Sequence, residues 1–430
     1  MSDEQHSRSV VLAGGGRLSG DVEVPGDKSI SHRALMLGSI AHGTTTIENL
    51  SSGTDVLSTM NAMMACGALV KRDLDSRTVT VQGGSLRDPA SPIDMGNAGT
   101  GIRLLTGLIA GAGIYAVLFG DASLSKRPMD RVIEPLSNMG ARIISRAGRF
   151  APLVNVPTVL NGIEHESQVA SAQVKSAILL AGLNAKGPTR VVEPVISRRH
   201  TEDMLEQFGA SIHISDNTIE LFPGELTASV VRVPGDPSQA AFWAVGASIA
   251  PDSRVSIPNI ELSPERNGFL RVLKRMGANI AEANEGLVVT YEGRLKPTNI
   301  PAAEVASLID EVPVLAVAAA TADGTSTFYG LRELTVKESN RLEGIAALLT
   351  GLGAPCKIDG DTLTIDGVSH FVTASSRSRG DHRMTMAAAI ASLLCIEPSE
   401  LQGTEFVETS YPGFFVDLER LLGHSEVPRA

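Results

Sequence analysis

A three-residue signature built on Gly-Ala returns along the chain at intervals of about 70 residues. It reads Cys66-Gly67-Ala68, Met139-Gly140-Ala141, Phe208-Gly209-Ala210, Met276-Gly277-Ala278 and Leu352-Gly353-Ala354, with a worn copy at Leu421-Leu422-Gly423. Such self-similarity constrains a fold more than composition does, because the chain must be an array of like supersecondary units. The period is longer than that of common solenoids. Each signature closes a stretch with helical apolar spacing, such as Val132, Leu136 and Met139. Its glycine then suits the first position past a helix, where the backbone turns left-handed. A β-rich run follows, for example Thr78-Val79-Thr80-Val81.

A second signature is offset from the first: a helix of small apolar residues, most copies closing at or near a glycine. The copies span 29–43, 99–111, 171–187, 238–250, 310–324 and 383–394. β-rich runs follow at 44–50, 114–119, 189–195, 253–260, 325–331 and 405–409. Each unit therefore reads strand-helix-strand-helix-strand-strand, and six units make an α/β protein with six inner and six more charged outer helices. A helix that is apolar all round is surrounded by protein. Close packing of six such helices accounts for 42 glycines and only 4 % aromatic residues.

The units beginning at Val24-Pro25-Gly26-Asp27 and Val233-Pro234-Gly235-Asp236 open identically. Pro-Gly-Asp reads as a turn before a helix. The two turns, half a chain apart, predict crossings between two three-unit domains, one of residues 1–23 plus 237–430 and one of 24–236. The first stretch is then expected to pack with the C-terminal half.

Lys+Arg number 37 against 48 Asp+Glu, a net charge of −11. This argues against general nucleic-acid binding and against an anionic membrane surface. It leaves room for a small anion held by a local basic cluster. Cys66, Cys356 and Cys395 form no Cys-x-x-Cys pair, so neither a disulfide framework nor a thiolate zinc site is expected, and a reducing cytosolic compartment is. Residues 1–10 are polar, without the apolar core of a secretory signal. The uncharged run 104–120 is shorter than the roughly 20 residues of a membrane helix and is broken by glycines; it reads as a buried helix, a break and a buried strand. Residues 111–116 fit a loose dinucleotide-loop pattern, but strand and helix stand in the wrong order around them. No zincin, nucleophile-elbow or complete phosphate-loop motif is present.

Polar residues gather at the starts of the inner helices: Lys28-Ser29-Ile30-Ser31-His32-Arg33, Gly96 to Arg103, Ser171 to Lys175, Asp310-Glu311 and Asp381-His382-Arg383. Taken singly, a serine or asparagine there is an ordinary cap and an arginine a solvated charge. Taken together they suggest more. Helix N-termini offer unpaired N–H groups and the positive end of the dipole, and added Lys, Arg, Ser and glycine-exposed backbone make anion sites. Two loops add dense charge, Ser125 to Arg131 and Thr335 to Arg341; Lys337, Glu338 and Arg341 would share a face on a helix start.

Val24–Arg33 (VPGDKSISHR), Gly96–Arg103 (GNAGTGIR), Lys126–Pro128 (KRP), Lys337–Arg341 (KESNR) and Asp381–Arg383 (DHR), in this order over nearly the whole chain, closely resemble the 5-enolpyruvylshikimate-3-phosphate (EPSP) synthase family. The resemblance implies a two-domain inside-out α/β barrel of six βαβαββ repeats, three per domain, with the active site in the cleft between. It implies transfer of the carboxyvinyl group of phosphoenolpyruvate to the 5-hydroxyl of shikimate 3-phosphate, releasing phosphate, in the shikimate pathway of aromatic amino-acid and chorismate biosynthesis. It implies no metal, no organic cofactor and a cytoplasmic monomer.

By position, the resemblance assigns shikimate 3-phosphate to Lys28, Ser29, Arg33, Ser171, Ala172, Gln173, Ser197, Arg198, Asp310 and Lys337. It assigns phosphoenolpyruvate to Lys28, Gly99, Arg127, Gln173, Arg341 and Arg383. Lys28, Asp310 and Glu338 are the implied catalytic residues, with Asp310 the proton acceptor and Glu338 the donor to the enol methylene. Glu333 stands where many members have Asn, Thr409 near a common lysine, and Ala172 where many have a second Ser; Ser197 to Thr201 matches the more divergent branch. The residue types suit the chemistry. Two multiply charged anions must be joined, and arginine grips carboxylate and phosphate bidentately. Addition and elimination through a tetrahedral ketal need a base for the hydroxyl and an acid for carbon.

Two other readings make different demands. The sibling transferase acting on UDP-N-acetylglucosamine usually carries a loop cysteine, and residues 120–128 contain none. A protein-binding repeat scaffold would carry its charges on outer faces.

Overall fold

A computed structural model describes residues 8–73, 77–283, 286–377 and 380–423. They fall into two compact units. One comprises the chain up to Pro25 and from Pro234 onward; the other is Gly26–Val233. Each has its own hydrophobic core.

The outer helices are Thr54–Ala65, Asp130–Asn138, His200–Gln207, Gly268–Arg275, Arg341–Gly351 and Phe414–Leu421. The signature glycine follows each of them at positive φ: 104°, 99°, 83°, 88°, 79° and 75° from Gly67 to Gly423. L-residues avoid that region, which is why the repeat is written in glycine.

The inner helices are Lys28–Ile40, Gly99–Ala112, Ala172–Gly182, Pro237–Ile249, Val312–Ala320 and His382–Ser392. Every residue of the last three is buried. Small residues are required where two inner helices touch. A Cβ on Gly107 would lie 2.1 Å from the Ala177 carbonyl oxygen, so Gly99–Ala112 and Ala172–Gly182 meet backbone to backbone.

Five sheets have four strands and one has three. In a representative one, Ile93–Asp94 runs parallel to Ala116–Phe119, with the inner helix as the crossover between them. Phe150–Val156 pairs antiparallel with Ala116–Phe119 and with Arg142–Arg146. The expected strand-helix-strand-helix-strand-strand order is thus observed. Ser19–Asp21 precedes the helix Lys28–Ile40 yet pairs with Arg254–Ile257, whereas Val230–Arg232 precedes Pro237–Ile249 yet pairs with Thr44–Glu48. The chain makes this exchange around its two Pro-Gly turns. Ser9–Leu12 completes the sixth sheet antiparallel to Ser399–Gln402. Among the described residues the sheets are six separate ones rather than one closed barrel, and the inner helices of each unit lie in its core.

Three local expectations need correction. Residues 405–409 are not a strand: Thr404–Thr409 is a 3₁₀ helix entered through Gly403 at φ 78°, and the strand lies earlier, at Ser399–Gln402. The β-branched Val407 and Thr409 mimic a strand, but the left-handed glycine turns the chain first. The fifth inner helix starts at Val312, with Asp310 and Glu311 in the turn before it. Lys337 and Glu338 precede the helix Arg341–Gly351 rather than lying on it, because the Asn340 side chain caps that helix from Glu343 N. The run 104–120 is the helix, left-handed Gly113 and strand that its glycines predict, and no helix of the described residues is long and apolar enough to cross a membrane.

Candidate active site

The Gly26–Val233 unit carries ten of the candidate residues, mostly at or just before helix starts. Asp27 caps the helix Lys28–Ile40, accepting from Ile30 N at 2.8 Å. Lys28 Nζ lies 2.8 Å from Asp55 Oδ2, both side chains largely buried. Arg33, one turn on, is buried rather than solvated. Its NH1 donates to Ser29 O (2.8 Å), its Nε to Thr201 Oγ1 (2.6 Å) and its NH2 to Ser176 Oγ (2.7 Å). Between these cations His32 is fully buried, its Nδ1 2.7 Å from Thr59 Oγ1. Burial, then Lys28 and Arg33, push its pKa from 6.5 down to about 3, so it adds no third charge.

The glycine-rich start of Gly99–Ala112 is woven to Arg127 and Gln173. Arg127 NH2 donates to Asn97 Oδ1 and, at 3.2 Å, to Ser123 Oγ. A Cβ on Gly99 would lie 2.6 Å from Arg127 NH1, so glycine leaves this guanidinium its place. Gln173 Nε2 donates to Thr100 Oγ1 (2.9 Å), and Gln173 Oε1 accepts from Arg103 NH1 (2.8 Å). Arg103 also reaches Gly99 O and, at 3.1 Å, Pro128 O, tying three motif segments together.

Ser171 caps Ala172–Gly182, accepting from Val174 N at 3.5 Å, with Ala172 as the first helical residue. Ser197 donates its hydroxyl proton to Glu193 Oε1 (2.5 Å) and its backbone N–H to Glu193 Oε2 (3.2 Å). Arg198 is partly buried beside it.

The other unit brings its five candidates together, although they come from three stretches of sequence. Asp310 Oδ1 lies 3.5 Å from Lys337 Nζ and 3.6 Å from Arg341 NH1, and its backbone carbonyl accepts from Arg383 NH1 at 3.0 Å. Arg341 NH2 donates to Glu338 Oε2. Arg341 Nε and NH2 donate to Asp381 at 2.8 and 3.2 Å. Asp381, wholly buried, also accepts from Ser339 Oγ (3.0 Å) and caps its helix through Arg383 N (3.1 Å). Burial alone would lower the Arg341 pKa, but Asp381, Glu338 and Asp310 together raise it, so the guanidinium is a permanent cation. At the positions that depart from the family pattern, Glu333 lies in the short 3₁₀ helix Arg332–Val336, and Thr409 donates to Phe406 O.

One unit therefore offers largely buried cations near its helix starts, Lys28, Arg33, Arg103 and Arg127. The other offers the Asp310 and Glu338 carboxylates held by Lys337 and Arg341, with Arg383 on the Asp310 backbone carbonyl. The first can hold anions and the second can move protons. Several partners were not legible in the sequence. Asp55 and Glu193 belong to no motif, and Arg103 and Asp381 lie in motifs without an assigned role. The faintest usable signal was their type: charged residues within or beside apolar helices.

The model of the family described as EPSP synthase (3-phosphoshikimate 1-carboxyvinyltransferase) matches residues 12–418. The 3-phosphoshikimate 1-carboxyvinyltransferase of Pelobacter propionicus is 43 % identical over 425 residues, 96 % of this chain and 98 % of that protein. The structure of EPSP synthase from Acinetobacter baumannii superposes with a TM-score of 0.82 at 38 % identity, covering 96 % of this chain and 98 % of that one. The enolpyruvyl transferase NikO from Streptomyces tendae reaches 0.80 over 96 % of this chain and 98 % of its own, but at 20 % identity, which speaks for the fold alone. With five motifs on the described helix starts and loops, and a family match spanning both units, the chain belongs to the EPSP synthase (3-phosphoshikimate 1-carboxyvinyltransferase) family.

Proposed function

We infer that this chain is a transferase of the shikimate pathway, joining phosphoenolpyruvate and shikimate 3-phosphate to give 5-enolpyruvylshikimate 3-phosphate and phosphate. The observation that carries the reading is the cluster around Arg341, where the Asp310 and Glu338 carboxylates, suited to proton transfer, sit against Lys337 and Arg341 while Arg383 is held by the Asp310 backbone carbonyl.

Lys28 contacts both reactants. Ser29, Arg33, Ser171, Ala172, Gln173, Ser197 and Arg198 hold shikimate 3-phosphate, with Asp310 and Lys337 on its hydroxyls. Gly99, Arg127, Gln173, Arg341 and Arg383 hold phosphoenolpyruvate. Asp310 takes the proton of the 5-hydroxyl, whose oxygen bonds to the central carbon of the enol. Glu338 gives a proton to the methylene carbon, which becomes a methyl group. Glu338, left ionised by that step, takes back a methyl proton as the C–O bond to phosphate breaks, and the double bond returns. The cations serve both steps, because the phosphate carries its charge throughout. The enzyme works as a cytoplasmic monomer on these two small molecules, with no nucleic-acid partner.

Phosphate release is the test. The reading expects release from shikimate 3-phosphate plus phosphoenolpyruvate and none from UDP-N-acetylglucosamine plus phosphoenolpyruvate. The reverse pattern refutes it, and folded protein inactive with both pairs returns the chain to a binding scaffold.

A further inference from the structure

Within the Gly26–Val233 unit, at the helices that hold Arg33, lies an ion triad that the proposed chemistry does not use. Lys175 Nζ is 2.7 Å from Glu193 Oε2 and 2.6 Å from Glu202 Oε1, and all three side chains are 1 % exposed. Burying three charges costs several kcal/mol each, and such clusters are often no more stabilising than apolar side chains of the same volume. Its presence calls for another reason.

The hydrogen bonds supply one. A guanidinium only donates, so Thr201 Oγ1 and Ser176 Oγ both accept from Arg33. Ser176 Oγ lies 2.5 Å from Thr201 Oγ1 and 2.5 Å from Ala172 O, which can only accept. One assignment satisfies every group: Arg33 donates to Thr201, Thr201 to Ser176, and Ser176 to the Ala172 carbonyl. This chain needs the helices Ala172–Gly182 and His200–Gln207 in fixed register. Lys175 and Glu202, the sequence neighbours of Ser176 and Thr201, bridge those same two helices. Through Glu193, Lys175 also anchors Ser197, which gives Glu193 both its hydroxyl and its backbone proton.

We propose that Lys175, Glu193 and Glu202, acting with Ser176 and Thr201, are positioning residues that set Arg33 and Ser197 for shikimate 3-phosphate. This deepens the proposed function and rests on it. The hydrogen bonds of this network end on Arg33 and Ser197, both assigned to shikimate 3-phosphate, so its effect is expected on that substrate.

The experiment measures KM for each substrate, kcat and the unfolding midpoint in wild type, Thr201→Val, Thr201→Ser and Glu193→Gln. Removing an acceptor from a charged donor predicts a rise of about tenfold or more in KM for shikimate 3-phosphate with Thr201→Val. KM for phosphoenolpyruvate and kcat stay near wild type, and Thr201→Ser restores the first KM. Glu193→Gln gives the same split. If it is recovered unfolded, Thr201→Val, which changes no charge, decides. A lowered midpoint with both KM values unmoved, or an equal rise in both, overturns the proposal. Wild-type protein that releases no phosphate from the pair refutes the proposed reaction itself, and this role with it.

Discussion

His32 makes acid stability a measurable consequence of the site's construction. It is wholly buried in the helix Lys28–Ile40, with its pKa lowered from 6.5 to about 3 by burial and by Lys28 and Arg33. In the unfolded chain it titrates near 6.5. Between these values the unfolded state binds a proton that the folded state refuses, so stability falls as pH drops. The contribution is complete above about pH 6.5, declines by about 1.4 kcal/mol per pH unit below it, and levels off near pH 3. From pH 7.5 to pH 5 the loss from this one residue is about 2 kcal/mol. The perturbation is His32→Gln, whose amide can still meet Thr59. The assay is urea unfolding of both proteins at the two pH values, read as a difference of differences so that other titrating groups cancel. The variant should lose about 2 kcal/mol less than wild type on acidification. Equal losses in both proteins would show that His32 is protonated in the folded state and refute the reasoning.

Other perturbations test other links. Lys28→Ala should lower turnover by about 100-fold or more while the protein stays folded by circular dichroism, because a preorganised charge at the reacting groups is lost; near-normal turnover contradicts the assignment. Asp381→Ala takes two acceptor contacts from the buried Arg341 guanidinium, which keeps Glu338 and Asp310, and removes a helix cap, costing about 3–4 kcal/mol in unfolding free energy, whereas Asp381→Asn keeps the cap and costs about 1 kcal/mol less. Equal costs for the two would deny the cap its share. Gly107→Ala drives a methyl into the Ala177 carbonyl and should destabilise by about 1–3 kcal/mol. Gly344→Ala meets only the Met384 side chain, at 3.6 Å, and should be neutral or stabilising by up to about 1 kcal/mol; the opposite order in thermal unfolding would refute the packing account.

The glycine-marked repeat was legible because backbone conformation selects residue type at a helix end whatever surrounds it. The inner helices were legible because complete burial demands small apolar residues along the whole element. At 405–409 local preference misled, since Val407 and Thr409 suit a strand and the preceding left-handed Gly403 overrules them. The charged motif at Lys337, Glu338 and Arg341 was legible as a cluster but not as a geometry. Helical spacing was the expected reason for their meeting, whereas the loop before Asn340 brings them together.

By itself the sequence determined the unit, its sixfold repetition, the glycine positions and the basic helix starts, because each is encoded within a few neighbouring residues. Tertiary structure alone decided which carboxylate faces which cation. Asp55 meets Lys28 across two helices, and Asp381 meets Arg341 across 40 residues. It also decided that His32 is neutral and that Arg33 is aimed by Thr201 and Ser176. Those facts depend on dielectric and on distances between remote segments, and no short stretch of residues carries either.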